Sequence, residues 1–157
     1  MAVIFSLATS PKERINSLKK IKNKLLTMKE QTDSIQNRIN ELTLKYGELP
    51  PYWVYRPNSH PYSFFWRQGN GEEFANRFVV WFTENCKTFV EKINYFRKHS
   101  PPPRWLATVI EFLWDVEGWN EPTFDYTPYL KQLEELGFKG TSDYQKDLDD
   151  EKWLGFE

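Results

Sequence analysis

The sequence predicts a mainly α-helical protein, and three observations carry that prediction. Apolar residues recur at three- and four-residue spacing through most of the chain. Runs of strict apolar–polar alternation are very few. Serine, threonine, proline and glycine sit where helices begin and end. The predicted layout is a long N-terminal coiled-coil-type helix, then a compact aromatic-rich helical domain with one long ordered proline- and aromatic-rich loop. Its two parts are residues 1–47 and 48–157.

Ser10-Pro11 opens the long helix, with serine as N-cap and proline at the first helical position; Gly47 and Pro50-Pro51 close it. Leu18, Leu25, Thr32, Ile39 and Tyr46 share one heptad position, and Ile21, Met28, Ile35 and Leu42 lie three residues later in each repeat. Lys22, Lys29, Gln36 and Thr43 flank this seam on one side, and Lys24, Gln31, Arg38 and Lys45 on the other. A parallel in-register dimer would set Lys24 against Lys29 of its mate with no attractive pair to offset it. The seam is therefore expected to pack against the chain's own helices, against an acidic hetero-partner, or in antiparallel self-association.

The prolines and two glycines of residues 48–73 forbid a long helix there. A short extended piece is expected around Tyr52–Arg56, with Trp53, Tyr55, Tyr62, Phe64, Phe65 and Trp66 ordering the loop. Asn70 is placed to cap the next helix, with Glu72 and Glu73 in its first turn. That helix is expected to run to Lys98 on a stripe of Phe74, Phe78, Phe82, Cys86, Phe89, Ile93 and Phe96. Pro101–Pro103 opens a third helix through Val116, apolar enough to be buried on most sides, with Arg104, Thr108, Glu111 and Asp115 as its polar stripe. Thr127-Pro128 starts a fourth, closed by Gly137, with Tyr129, Leu130, Leu133 and Leu136 inward; an acidic helix over residues 142–152 is the last. The opening MAVIFSLATS lacks a basic region and reads as a segment docked on the core, not a signal peptide.

Composition narrows the function classes. Aromatic residues make up 17% of the chain, and such rings fill cores and anchor interfaces. One cysteine forms no internal disulfide, and no apolar run has the length of a membrane span, so a cytoplasmic protein without membrane attachment is expected. The net charge of −1 is unevenly spread: +4 over residues 1–50, +4 over 51–110 and −9 over 111–157.

No chemistry announces itself. His60, His99 and Cys86 have no paired metal-ligand spacing, and Asp147, Asp149, Asp150 and Glu151 lack a calcium-loop pattern and read as a solvated face. No metal or cofactor is expected. Cys86 lies on an apolar stripe and reads as a small buried hydrophobe. Gly69-Asn70-Gly71 precedes two glutamates, which occupy the place a phosphate would take, so it reads as a helix start. His60, with Arg67 and Glu72, is the one acid–base candidate, but a histidine before proline in an aromatic loop is expected to bond backbone and fix the loop.

The function read from these features is a non-enzymatic protein-binding module: an assembly subunit, or an inhibitor of a partner protein with a toxin- or defence-related role. Two partner-binding surfaces are assigned. One is the aromatic–basic loop Trp53, Tyr55, Arg56, His60, Tyr62, Trp66 and Arg67; the other is the seam at Leu25, Met28, Ile35 and Ile39. The acidic tail can steer onto a basic partner or imitate a nucleic acid. One alternative is nucleic-acid binding through Lys12, Arg14, Lys19, Lys20, Lys22, Lys24 and Lys29, which surround the first helix instead of forming one face. A second is an enzyme with an unrecognised site around His60 and Arg67.

Overall fold

The computed structural model describes residues 10–155, and seven α-helices with short 3₁₀ turns make up its regular structure. No strand occurs among the described residues, so the protein is mainly α-helical. The expected docking of MAVIFSLATS lies outside the described residues but for its last serine. No described helix is long and apolar enough to cross a membrane. The chain divides into two compact units, Met1–Arg38 and Ile39–Glu157, so the boundary falls inside the first helix and not at its glycine stop.

That first helix, α1 (Pro11–Tyr46), begins as the sequence predicts. The Glu13 backbone N–H donates to Ser10 Oγ (3.2 Å) and the Ser10 N–H donates to Glu13 Oε2 (2.7 Å), a reciprocal capping box. In the first unit every residue from Ser10 to Ser34 is exposed, and burial begins at Ile35.

In the second unit Ile39 and Leu42 are buried, and Gly47, at φ +75°, ends α1 with its N–H on the Thr43 carbonyl (2.8 Å). The piece after Pro51 is not extended. It forms a single helical turn, α2 (Tyr52–Tyr55), because both Val54 and Tyr55 donate to the Pro51 carbonyl (3.0 Å each) while Tyr52 and Trp53 turn into the core. A 3₁₀ turn over Phe64–Arg67 follows, capped by Ser63 Oγ, which accepts from the Phe65 N–H.

Helix α3 (Gly69–Asn85) starts before Asn70, which makes no cap; Gln68 holds the N-cap position without a side-chain bond. The two glycines explain the start. Gly69 has φ +56°, and a Cβ on Gly71 would collide with the backbone carbonyl of Phe65. The long helix expected to reach Lys98 is instead two helices, with a break at residues 86–88. Helix α4 (Phe89–Lys98) opens with its own capping box: Thr88 Oγ1 accepts from the Glu91 N–H, and Glu91 Oε2 accepts from the Thr88 N–H (2.8 Å). Phe89 is consequently at a helix start and well exposed, while Phe74, Phe78, Phe82, Cys86, Ile93 and Phe96 are buried.

Helix α5 (Leu106–Trp114) follows a 3₁₀ turn at Pro103–Trp105 and is shorter than predicted, ending at Asp115 in the left-handed region (φ 52°). Leu106, Val109, Ile110 and Leu113 are buried, as so apolar a helix requires. Helix α6 (Thr127–Glu135) buries Leu133, with Tyr129, Leu130 and Leu136 half-buried, and closes at Gly137 (φ +88°). The acidic end is one short helix, α7 (Tyr144–Leu148), between 3₁₀ turns at Thr141–Asp143 and Glu151–Gly155. At the centre, Phe82 packs on Phe96 (5.3 Å) and Phe112 (4.9 Å), and Tyr52 stacks on Trp105 (5.5 Å).

Candidate functional site

The seven loop residues assigned to partner binding do not form one surface. Trp53 is buried, its Nε1–H donating to the His99 carbonyl (3.2 Å), and Trp66 is buried with its Nε1–H on the His60 carbonyl (3.1 Å). Both indoles pack the interior, since rings this large stabilise most when desolvated, so neither is a surface anchor. Tyr55 is half-buried and stacks on Phe74 at 4.0 Å, and the Arg56 guanidinium lies 3.9 Å over the Phe65 ring. Tyr62 and Arg67 remain exposed.

His60 fixes the loop through both ring nitrogens. Its Nδ1 accepts from the Tyr62 backbone N–H (3.1 Å), so the proton sits on Nε2 and is donated to the Leu148 carbonyl (2.9 Å). Arg67 lines a larger cleft and His60 a smaller one, with Tyr62 lining both. Among the described residues no group of three or more histidines, cysteines or carboxylates is placed to hold a metal ion.

The larger cleft, of about 630 Å³, is a concave site of the second unit. Tyr52, Trp66 and Trp105 contribute to its lining from the core side, and Tyr62 and Trp119 from the exposed side. Its charged residues are Arg67, Glu72 and Glu111, two carboxylates against one guanidinium. Glu111 projects from α5 and is half-buried. Burial pushes its carboxyl above the usual range, and hydrogen bonds from Tyr126 and the Trp119 backbone offset this only in part. Both bonds fall on one oxygen: Glu111 Oε1 accepts from Tyr126 Oη (2.6 Å) and from the Trp119 N–H (3.1 Å). Burial, with the Glu111 charge nearby, likewise raises the Tyr62 hydroxyl.

Periodicity places Glu111 on a polar stripe and gives no role to Trp119. A lone carboxylate between Ile110 and Phe112 is the available signal, because an acid inside so apolar a helix is forced toward burial. Arg104 also departs from the polar stripe. It is buried, with Nε donating to the Ser59 carbonyl (2.8 Å), Nη2 to the Pro57 carbonyl (2.9 Å) and Nη1 3.4 Å from Asp147 Oδ2. Asp147 therefore does not belong to a solvated acidic face, as its spacing suggests. Burial works against its charge, but the N–H and guanidinium of Arg104 outweigh that and hold the carboxyl below its usual range.

The heptad seam divides in two. Leu25 and Met28 are 60% and 53% exposed, whereas Ile35 and Ile39 are 4% and 8% exposed. Ile15, Leu18 and Ile21 are exposed to a similar degree as Leu25. Ile35 and Ile39 are thus buried, and Leu25 and Met28 are not. No known family, curated protein or solved structure matches the chain.

Proposed function

We propose that this protein is a non-enzymatic protein-binding module, an assembly subunit or an inhibitor of another protein, and that the first turns of α1 carry the docking surface. One observation supports this above the others. Ile15, Leu18, Ile21, Leu25 and Met28 lie on a helix in which every residue from Ser10 to Ser34 is exposed. Helices are stabilised in water mainly by burying an apolar face, so this one is completed by a partner. Lys22, Lys24 and Lys29 border the seam and favour an acidic partner; antiparallel self-association through the same seam is the competing arrangement. A lone buried thiol, Cys86, suits a reducing cytoplasm.

The test is affinity capture from the native host with wild type and with Leu18→Asp/Leu25→Asp, together with sedimentation of the purified proteins. The reading expects the double variant to keep the fold of the second unit and to lose the captured partner or the dimer. A folded variant that recovers the same proteins and sediments identically to wild type defeats it. Capture of nucleic acid instead of protein, lost steeply with salt, would move the function to the basic residues of the same helix.

A further inference from the structure

We propose that the cleft bearing Glu111 binds an alkylammonium group, with the ammonium on Glu111 Oε2 and the alkyl portion against Tyr62 and Trp119. This site is separate from α1 and stands or falls independently of the docking surface proposed there. Glu111 Oε1 already accepts two hydrogen bonds, from Tyr126 Oη and the Trp119 N–H. Among the described residues Oε2 accepts none, and it is not sealed from solvent. A half-buried carboxylate with one free oxygen and no ion pair among the described residues is a desolvated charge awaiting a cation.

The free valence selects the kind of cation. A guanidinium bonds best as a fork to both oxygens of a carboxylate, and here one oxygen is taken. An ammonium is a compact charge that one oxygen can receive, and its alkyl chain packs against aromatic rings. Tyr62 and Trp119, 47% and 66% exposed, give those rings at the open side, and two carboxylates against Arg67 leave the cleft net negative. A free amine and a lysine side chain of another protein present the same chemistry.

The experiment follows the tryptophan indole ¹H–¹⁵N signals, including Trp119 and the buried, unpartnered Trp105 Nε1–H, during titration of the full chain. The probes are n-butylammonium, n-butanol, n-butylguanidinium and an end-blocked Gly-Lys-Gly peptide. The expected result is a saturable shift with butylammonium, none with butanol, and weaker binding of butylguanidinium. Glu111→Gln keeps an oxygen acceptor for Tyr126 and Trp119 but loses the charge, and should weaken binding roughly tenfold or more. Tighter binding of the peptide than of butylammonium assigns the site to a protein lysine, and the reverse assigns it to a free amine. Equal shifts with butanol, no saturable shift with any amine, or undiminished binding to Glu111→Gln overturn the proposal. If Glu111→Gln does not fold, Trp119→Ala, at an exposed ring, carries the same test: unchanged affinity refutes the site.

Discussion

Replacing Arg104 with alanine should be among the most damaging single changes to the second unit. The side chain is buried, and it ties the loop at Pro57 and Ser59 to Asp147 at the acidic end of the chain. Its guanidinium also lies 4.0 Å over the Trp153 ring. Each well-formed hydrogen bond from a charged donor contributes ~1.5–3 kcal/mol, and two reach carbonyls at good distance. The 3.4 Å approach to Asp147 adds less, and Asp147 Oδ2 keeps the Arg104 backbone N–H (3.0 Å) whatever the side chain. Breaking one side of a buried pair costs ~3–5 kcal/mol, so about 4 kcal/mol satisfies both bounds. At ~2–4 °C per kcal/mol for a chain of this size, Tm should fall by about 8–16 °C. Urea unfolding followed by tryptophan fluorescence measures the loss directly, with an unchanged slope marking a pure stability effect. A loss below ~1 kcal/mol would refute the reasoning, because it would mean that water replaces the guanidinium at these carbonyls without penalty.

Four further outcomes are expected. Asp147 has a folded-state carboxyl below its unfolded value, so its contribution is complete above about pH 4 and is lost as pH falls through the folded value; the stability gap between wild type and Arg104→Ala should therefore narrow in acid urea melts. Ile35→Ala should cost ~2–5 kcal/mol and Leu18→Ala less than ~0.5 kcal/mol in the same assay, because one is buried and the other exposed. Gly71→Ala should cost about 1–3 kcal/mol, since its Cβ meets the Phe65 backbone carbonyl and not a movable side-chain end. Burial pushes the Cys86 thiol up to about 11, so at neutral pH a disulfide reagent should label it far more slowly in the native protein than in urea.

The parts of the fold legible in sequence are those written in local patterns. Ser10-Pro11, the α3 stripe and the glycine after α6 each act within a turn of their own position, and each appears where its pattern puts it. The break between α3 and α4 is legible too, since Thr88 and Glu91 spell a capping box, but the continuous apolar period across Cys86 and Phe89 masks it. The cleft is not legible. Tyr62, Trp66 and Arg67 come from one loop, whereas Glu111 and Trp119 come from α5 and the turn beyond it, and only tertiary packing joins them. Nor does composition say which tryptophans are consumed: Trp53 and Trp66 look like interface anchors until their indole N–H groups are found bonded to buried backbone.

The exposed stretch of α1 bears on how this protein can change over generations. At Leu18, Ile21, Leu25 and Met28, each more than half exposed, a substitution removes little buried surface, so folding filters it only weakly. At Ile35, Ile39 and Leu42 the opposite applies, because any change there is first judged by the core. One helix thus carries a part that folding constrains little and a part tied to the architecture. If the exposed part docks a partner as proposed, its specificity can be rewritten there without spending stability in the buried part.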